Sequence, residues 1–188
     1  MKRIVFMDVD TQYDFMSPKG ALYVKGARLI VARLKRLTAL ADRCRIPIVS
    51  SMDTHRANDP EFKMFPAHCL PASRGHRKIA ATKAGRTRQV IISKAAFDMF
   101  SAAKAARTLR GFDTAYVYGV ALDYCVKSAC LGLRRLGIET YLVQDATRAV
   151  ARASGEAALA LLRKKGVRFI GTQQLVRRLS PCRKKSDR

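Results

Sequence analysis

Short apolar runs alternate with amphipathic segments along the whole chain. Six runs predict buried strands at about residues 4–7, 46–51, 89–93, 115–118, 138–143 and 167–170. Between them, apolar residues recur every three or four positions and predict helices at about 26–41, 101–110, 154–165 and 172–179, with another directly after Cys125. Strands that alternate with helices indicate a three-layer α/β/α fold around a mainly parallel sheet of about six strands.

One long segment breaks this pattern. Between Met52 and Arg88 the periodicity disappears, and several prolines and glycines interrupt the chain. Irregular segments of this length in a compact domain are usually functional or disordered. All three histidines of the protein lie in this segment, at His55, His68 and His76.

Length and composition favour one soluble domain. The chain has 188 residues, of which 48% are hydrophobic, and this is enough for one substantial core. We expect a single domain at 1–180, followed by a basic, flexible tail at 181–188. No apolar run approaches the roughly 20 residues of a membrane span, and the first residues lack a signal peptide's apolar stretch. A cytoplasmic protein without membrane contact is therefore expected.

The charge and the cysteines restrict the choice of partners. The 37 Lys and Arg residues against 14 Asp and Glu give a net charge of +23, which attracts polyanions. The basic residues are spread over several predicted helices and the tail, without a finger or an RNP motif, so nonspecific polyanion binding is the expected form. A nucleic-acid-binding protein on a catalytically idle scaffold stays open as an alternative. The five cysteines include no CxxC pair, which disfavours a disulfide framework, a cysteine-only zinc site and a redox pair.

Cys125 lies where the fourth predicted strand gives way to a helix. If Asp123 is the N-cap, Cys125 occupies the first helical turn, where free N–H groups and the helix dipole favour a thiolate. The same N–H groups could receive an oxyanion. The alternative is a small buried apolar residue, as free cysteines commonly are.

Asp10, Lys94 and Cys125 each follow the C-terminal end of a predicted strand. In a parallel sheet such ends share one edge, so the three side chains can converge. A cysteine attacks carbonyl groups as thiolate, a carboxylate can take its proton, and an ammonium stabilises both charges. Taken singly, Lys94 is equally consistent with a surface lysine and Asp10 with a turn residue.

Asp53, His55 and His68 form a second candidate group in the irregular segment. Asp53 and His55 stand at alternate positions, hence on one side of an extended segment, and His68 follows in the same loop. Mixed carboxylate and imidazole ligands suit zinc, iron or manganese. A polar loop surface is the competing interpretation, and His76 is interpreted as surface.

Four ordered motifs resemble the isochorismatase-like cysteine hydrolases, and within them the nicotinamidase (pyrazinamidase) branch. Residues 10–15 resemble the family's D-x-Q-x-D-F, residues 53–55 its D-x-H, residues 65–69 its aromatic-P-x-H-C, and residues 119–126 its G-V-A-x-D-x-C-V. The match spans nearly the whole chain. It implies an isochorismatase-like, Rossmann-like α/β fold.

The resemblance also implies residue roles. It implies a catalytic triad of Asp10, Lys94 and Cys125, and one divalent metal, most simply zinc, with iron or manganese as alternatives. It implies metal ligation by Asp53, His55 and His68, with Glu61 as a less certain fourth ligand. It further implies an oxyanion hole from the backbone N–H groups of Ala121 and Cys125, a cis peptide bond between Val120 and Ala121, and substrate contacts from Phe15 and Phe65.

The implied activity is hydrolysis of nicotinamide, and of pyrazinamide, to the acid and ammonia through a Cys125 thioester, as in NAD salvage. Isochorismatases proper lack the metal motif, so the three metal-binding positions favour the amidase. An amidohydrolase for another small amide or ureido substrate stays open, as does a homo-oligomer. Leu122 and Phe65 depart from the threonine and tryptophan that relatives often carry, which leaves ring selectivity open.

Overall fold

A six-stranded sheet forms the centre of the computed structural model, which describes residues 2–180. The strands lie side by side in the order β3-β2-β1-β4-β5-β6, and all five pairings are parallel. The predicted architecture is therefore confirmed, whereas the tail at 181–188 lies outside the described residues. The strands are β1 (Ile4–Val9), β2 (Ile48–Asp53), β3 (Gln89–Lys94), β4 (Thr114–Val120), β5 (Glu139–Arg148) and β6 (Arg168–Ile170).

Helices cover both faces of this sheet. Leu34, Leu37 and Leu175 from two helices pack on one face, and Leu109, Leu133 and Leu162 from three others pack on the opposite face. None of the helices within residues 2–180 is long and apolar enough to cross a membrane. The helices are α1 (Tyr13–Met16), α2 (Val31–Cys44), α3 (Ala103–Leu109), α4 (Lys127–Arg135), α5 (Arg152–Lys164) and α6 (Thr172–Leu179).

The strand order places a cleft between β1 and β4. These neighbouring strands run side by side up to the pair Val9 and Gly119. β1 connects onward to β2 on one side, and β4 connects to β5 on the other, so the chain leaves the two strand ends in opposite directions. Ligands of open α/β sheets bind at such a switch point, beyond the carboxyl ends of the strands.

Gly119 permits the close approach of these two strands. Its φ of +117° lies where side chains are strained, and a Cβ at this position would stand 2.1 Å from the carbonyl oxygen of Val9. The obstacle is backbone, which cannot rotate away as a side chain can.

Gly119→Ala is expected to lower the free energy of unfolding by about 3 kcal/mol or more, because it adds a steric clash to backbone strain. Gly137→Ala is the matched control, since φ is +75° there but nothing lies within 4 Å of the added Cβ. Strain alone should cost about 1–2 kcal/mol at this control position. Urea denaturation of both variants measures the difference, and equal losses would contradict the steric argument.

Candidate active site

Asp10, Lys94 and Cys125 meet at the switch point. Lys94 Nζ lies 2.8 Å from Asp10 Oδ2 and 3.5 Å from Cys125 Sγ. All three side chains are buried, with at most 7% of each residue exposed. The predicted convergence of these strand ends is therefore what the structure shows, while the roles of the residues stay predictions.

Asp10 presents one oxygen atom to the cysteine side of the cluster. Its Oδ1 accepts a hydrogen bond from Ser51 Oγ at 2.7 Å. Its Oδ2 forms an ion pair with Lys94 and accepts no other hydrogen bond that satisfies geometric criteria within residues 2–180. Asp10, Asp53 and Cys125 each place an oxygen or sulfur within 4.8 Å of the others. Asp10 Oδ2 is thus a carboxylate oxygen that is paired with Lys94 and lies near the thiol.

The turn that carries Cys125 differs from the prediction. Residues Leu122–Val126 form a π-helical turn with Ala121 as N-cap, so Asp123 does not cap an α-helix there. The Asp123 carboxylate instead accepts hydrogen bonds from the backbone of Val150 and Ala151 and from Ser154 Oγ. Asp123 therefore ties the nucleophile turn to the start of α5. The peptide bond between Val120 and Ala121 is cis, as the family resemblance implies.

The environment of Cys125 favours the thiol over the thiolate. Burial raises the pKa of Cys125 well above its ordinary value, Lys94 opposes this shift, and the Asp10 carboxylate adds to it. The prediction that the helix terminus stabilises a free thiolate is therefore wrong, because desolvation outweighs it. Cys125 needs a proton acceptor at the moment of attack, and the Asp10 carboxylate lies within 4.8 Å of its sulfur.

Lys94 is shared between two carboxylates. It pairs with Asp10 and also with Asp53, its register partner at the end of the adjacent strand β2. Burial alone would lower the pKa of Lys94, but Asp10, Cys125 and Asp53 raise it well above its ordinary value. Lys94 therefore stays an ammonium in this site.

Asp53, His55 and His68 come together as a possible metal centre. Their ligand atoms all lie within 4.8 Å of one another, and the three residues are buried. His55 Nδ1 lies 3.0 Å from Asp59 Oδ2, and His68 Nδ1 lies 2.8 Å from the carbonyl oxygen of Pro66. Both partners can only accept, so each Nδ1 carries the hydrogen and each Nε2 keeps a lone pair.

The donor set fits a divalent cation. His55 Nε2 and His68 Nε2 are buried without a hydrogen-bond partner among the described residues. Burial, followed by the neighbouring Asp10, raises the pKa of Asp53 to about 7, although Lys94 opposes the shift. A cation beside Asp53 would satisfy both imidazoles and offset the repulsion between the two carboxylates.

Glu61 and two phenylalanines lie around these imidazoles. Glu61 Oε1 lies 3.8 Å from His68 Nε2, so the structure places the predicted fourth ligand beside the third. The ring of Phe62 lies 5.5 Å from that of His55 and 5.6 Å from that of His68, between ring centroids. Phe15 lies 5.5 Å from His68 on another side. These apolar rings restrict the imidazole orientations.

A cavity of about 100 Å³ opens beside Cys125. Both predicted substrate contacts, Phe15 and Phe65, line it. Phe97 and Tyr124, which the sequence analysis missed, lie with their rings 5.2 Å apart in the same wall. Their nearness in sequence to the predicted triad could have indicated them, since Phe97 lies three residues after Lys94 and Tyr124 one residue before Cys125. The remaining lining residues are Asp10, Leu22, Tyr23, Val24, Asp53, Glu61, His68, Val120, Ala121, Cys125 and Val150.

Hydrogen bonds tie the irregular segment to the strand ends. The Gln12 side chain bonds both the N–H and the carbonyl oxygen of Asp53, and it also bonds the carbonyl oxygen of His76. His76 Nε2 lies 2.9 Å from Thr54 Oγ1, between the two ligand positions of that loop. His76, interpreted as surface, is half-buried: its ring bonds within the loop, and it is not part of the ligand group of Asp53, His55 and His68.

The Isochorismatase domain family matches residues 5–174, so this chain belongs to that family and is an isochorismatase-family hydrolase. A nicotinamidase of Acinetobacter baylyi is 27% identical over 76% of this chain and 79% of that protein. The crystal structure of a Pyrococcus horikoshii pyrazinamidase in complex with zinc has a TM-score of 0.84 at 29% identity and covers 90% of this chain and 99% of that one. PnC1 from L. infantum in complex with nicotinate has a TM-score of 0.84 at 27% identity and covers 92% of this chain and 94% of that one.

Proposed function

We propose that this protein is a metal-dependent cysteine amidohydrolase that converts nicotinamide, and also pyrazinamide, to the acid and ammonia. The observation that carries the proposal is the convergence of Asp10, Lys94 and Cys125 with the Asp53, His55 and His68 group beside one small, largely apolar cavity. Asp10, Asp53, His68 and Cys125 line this cavity directly. A flat, uncharged heteroaromatic ring suits such a wall. The similarity to a nicotinamidase and to a pyrazinamidase that binds zinc supports this choice within the family.

The first half of the reaction uses Asp10 as general base. Asp10 Oδ2 takes the Cys125 proton while Sγ attacks the carboxamide carbon, which becomes tetrahedral. The N–H groups of Ala121 and Cys125 are the proposed donors to the oxyanion. Collapse of this intermediate breaks the C–N bond, Asp10 returns the proton to the leaving nitrogen, and ammonia departs from a Cys125 thioester.

The second half hydrolyses the thioester. Asp10, again a carboxylate, accepts a proton from water as its oxygen attacks the thioester carbon. The C–S bond breaks, the proton returns to the Cys125 sulfur, and the carboxylic acid is released. Lys94 stays an ammonium throughout and compensates the negative charge that moves between Asp10 and Sγ.

Asp53, His55 and His68 would hold the metal, with Glu61 as a possible fourth ligand. When bound, zinc, iron or manganese would supply a Lewis acid for a substrate ring nitrogen and a counter-charge for Asp53. Lys94 alone cannot neutralise both carboxylates, because its single positive charge is shared between Asp10 and Asp53.

A panel of amides tests the proposal through ammonia release. Nicotinamide and pyrazinamide should exceed benzamide in kcat/KM by at least about tenfold, since benzamide has the same shape without the ring nitrogen. A small ureido compound should be the poorest substrate in the apolar cavity. Preference for the ureido compound would instead support the alternative amidohydrolase, and release from none of the compounds would overturn the proposal.

The other features of the proposal stay predictions. These are a single domain, a cytoplasmic location, a place in NAD salvage, a homo-oligomer and nonspecific polyanion binding. The charge of +23 remains the reason for the last of these.

A further inference from the structure

Lys78 lies outside all four family motifs, yet it is buried beneath the active site. Its residue is 8% exposed, and Asp8, with which its ammonium pairs, is fully buried. Asp8 Oδ2 also accepts from Ser50 Oγ at 3.0 Å, and Asp8 Oδ1 accepts from Thr11 Oγ1 at 2.9 Å. Buried charges are retained only where they are paired and hydrogen-bonded, and this pair satisfies both conditions.

The contacts of Lys78 lie on both sides of Asp10 in the chain. Its ammonium bonds the Asp8 carboxylate, two residues before Asp10, and donates to Thr11 Oγ1 at 2.8 Å, one residue after it. The backbone adds to this hold, because Gln12 and Lys78 form an antiparallel bridge and the N–H of Ile79 donates to the carbonyl oxygen of Thr11 at 3.0 Å.

Asp10 itself has a backbone conformation that needs support. Its φ of +48° lies in the left-handed region, which is uncommon for residues other than glycine. Such conformations persist where the surroundings impose them, and they occur often at functional sites. This turn aims Asp10 Oδ2 toward Cys125 and Lys94, so fixing its flanks fixes the position of the base.

We propose that Lys78 is a positioning residue that holds the Asp10 turn in its reactive conformation by bonding Asp8 and Thr11 together. The inference rests on the proposed role of Asp10 as general base. This role would make Lys78, a residue of the irregular segment, part of the active site's support. Lys78 belongs neither to the four motifs nor to the cavity lining. Lys78 acts through Asp10, since it does not line the cavity.

A double variant separates positioning from folding. Lys78→Met alone leaves a buried carboxylate unpaired, so it is expected to unfold more easily for that reason alone. Asp8→Asn combined with Lys78→Met removes both charges at similar side-chain size and should melt close to the parent protein. If Lys78 positions Asp10, kcat for nicotinamide still falls at least tenfold in this double variant, while KM stays within threefold.

A matched pair of single variants keeps the test decisive if the double variant fails to fold. Thr11→Val removes the hydroxyl that Lys78 bonds beside Asp10, together with that hydroxyl's own bond to Asp8, but keeps the buried ion pair of Asp8 and Lys78. Thr82→Val makes the same chemical change in the same network, at a hydroxyl that bonds Thr11 but neither Asp8 nor Lys78. Thr11→Val should lower kcat at least fivefold, whereas Thr82→Val should leave it within twofold. Equal effects, or no effect of Thr11→Val, would overturn the inference.

Alkylation of Cys125 by iodoacetamide gives a readout that does not depend on the substrate. The rate is followed by mass spectrometry, with Asp10→Asn as the reference for a lost base. The double variant and Thr11→Val should shift the rate in the same direction as Asp10→Asn does. A parent-like rate in both, against a shifted rate in Asp10→Asn, refutes the positioning role even if nicotinamide proves not to be a substrate. Parent-like kcat and labelling in Asp10→Asn would instead remove Asp10 as base, and the inference with it.

Discussion

Cys125→Ala is expected to abolish ammonia release from nicotinamide, by at least roughly 10³-fold in kcat. Among the described free cysteines, only Cys125 lines the cavity and accepts a hydrogen bond from Lys94, so no neighbour can form the thioester in its place. The folded protein should persist, since the change removes a single buried sulfur atom. The measurement is ammonia release at saturating nicotinamide, with circular dichroism and thermal melting as checks of folding.

Cys130→Ala is the matched control for this loss. Cys130 is also a free buried cysteine and lies five residues later in α4. Cys130 does not line the cavity, so Cys130→Ala should keep kcat within about threefold of the parent value. Its free energy of unfolding should fall only modestly. A mass increase of the parent protein during turnover, equal to the acyl group and absent from Cys125→Ala, would identify the thioester. Full activity of Cys125→Ala would eliminate the cysteine mechanism.

The centre of the sheet was predictable because strands β1, β2 and β4 are buried on both faces. Every residue of β4 is buried, and continuous apolar runs of this kind stand out in the sequence. The length of β5 was not predictable, since it runs on to Arg148 after a register shift opposite residues 117–119 of β4. An irregularity of pairing depends on the neighbouring strand, and local periodicity does not report it.

The convergence of Asp10, Lys94 and Cys125 was also predictable, because parallel strands present their ends at one edge. Their electrostatics were not. A position at a helix start suggested an acidic thiol, but the pKa of Cys125 rises, since burial is set by residues distant in the sequence. The π-helical turn and the partners of Asp123 likewise depend on tertiary contacts with the start of α5.

In the irregular segment, the sequence motifs predicted the ligand residues but not their hydrogen-bond partners. D-x-H and P-x-H-C located the imidazoles, and nothing in either motif indicates Asp59 and Pro66 as acceptors for their Nδ1–H groups. The role of Lys78 was likewise not predictable from the sequence, because a lysine in a loop is ordinarily exposed. Its partner Asp8 lies 70 positions earlier in the chain.

Removal of the metal is expected to lower ammonia release by about 10²-fold or more, because Asp53 and Asp10 then share only Lys94 and the substrate ring loses its proposed ligand. Protein dialysed against a chelator and then against metal-free buffer should recover activity on addition of zinc, iron or manganese. Metal content, measured by mass spectrometry before and after, relates the activity to bound ion. Activity that is unaffected when the ion is gone would contradict metal dependence.

Substitutions in the loop locate the ion. His55→Ala and His68→Ala should each lose bound metal and activity, since each removes a buried Nε2 that has no hydrogen-bond partner among the described residues. His76→Ala is the control from the same loop, because its Nε2 already bonds Thr54, and it should retain metal. Asp59→Ala should lower metal affinity by about 10- to 100-fold, because Nδ1 of His55 then loses its acceptor and the ring its orientation. Equal metal affinity in Asp59→Ala and the parent protein would mean that the surrounding rings suffice to orient His55, and the role of Asp59 would then be to cap the turn at Glu61.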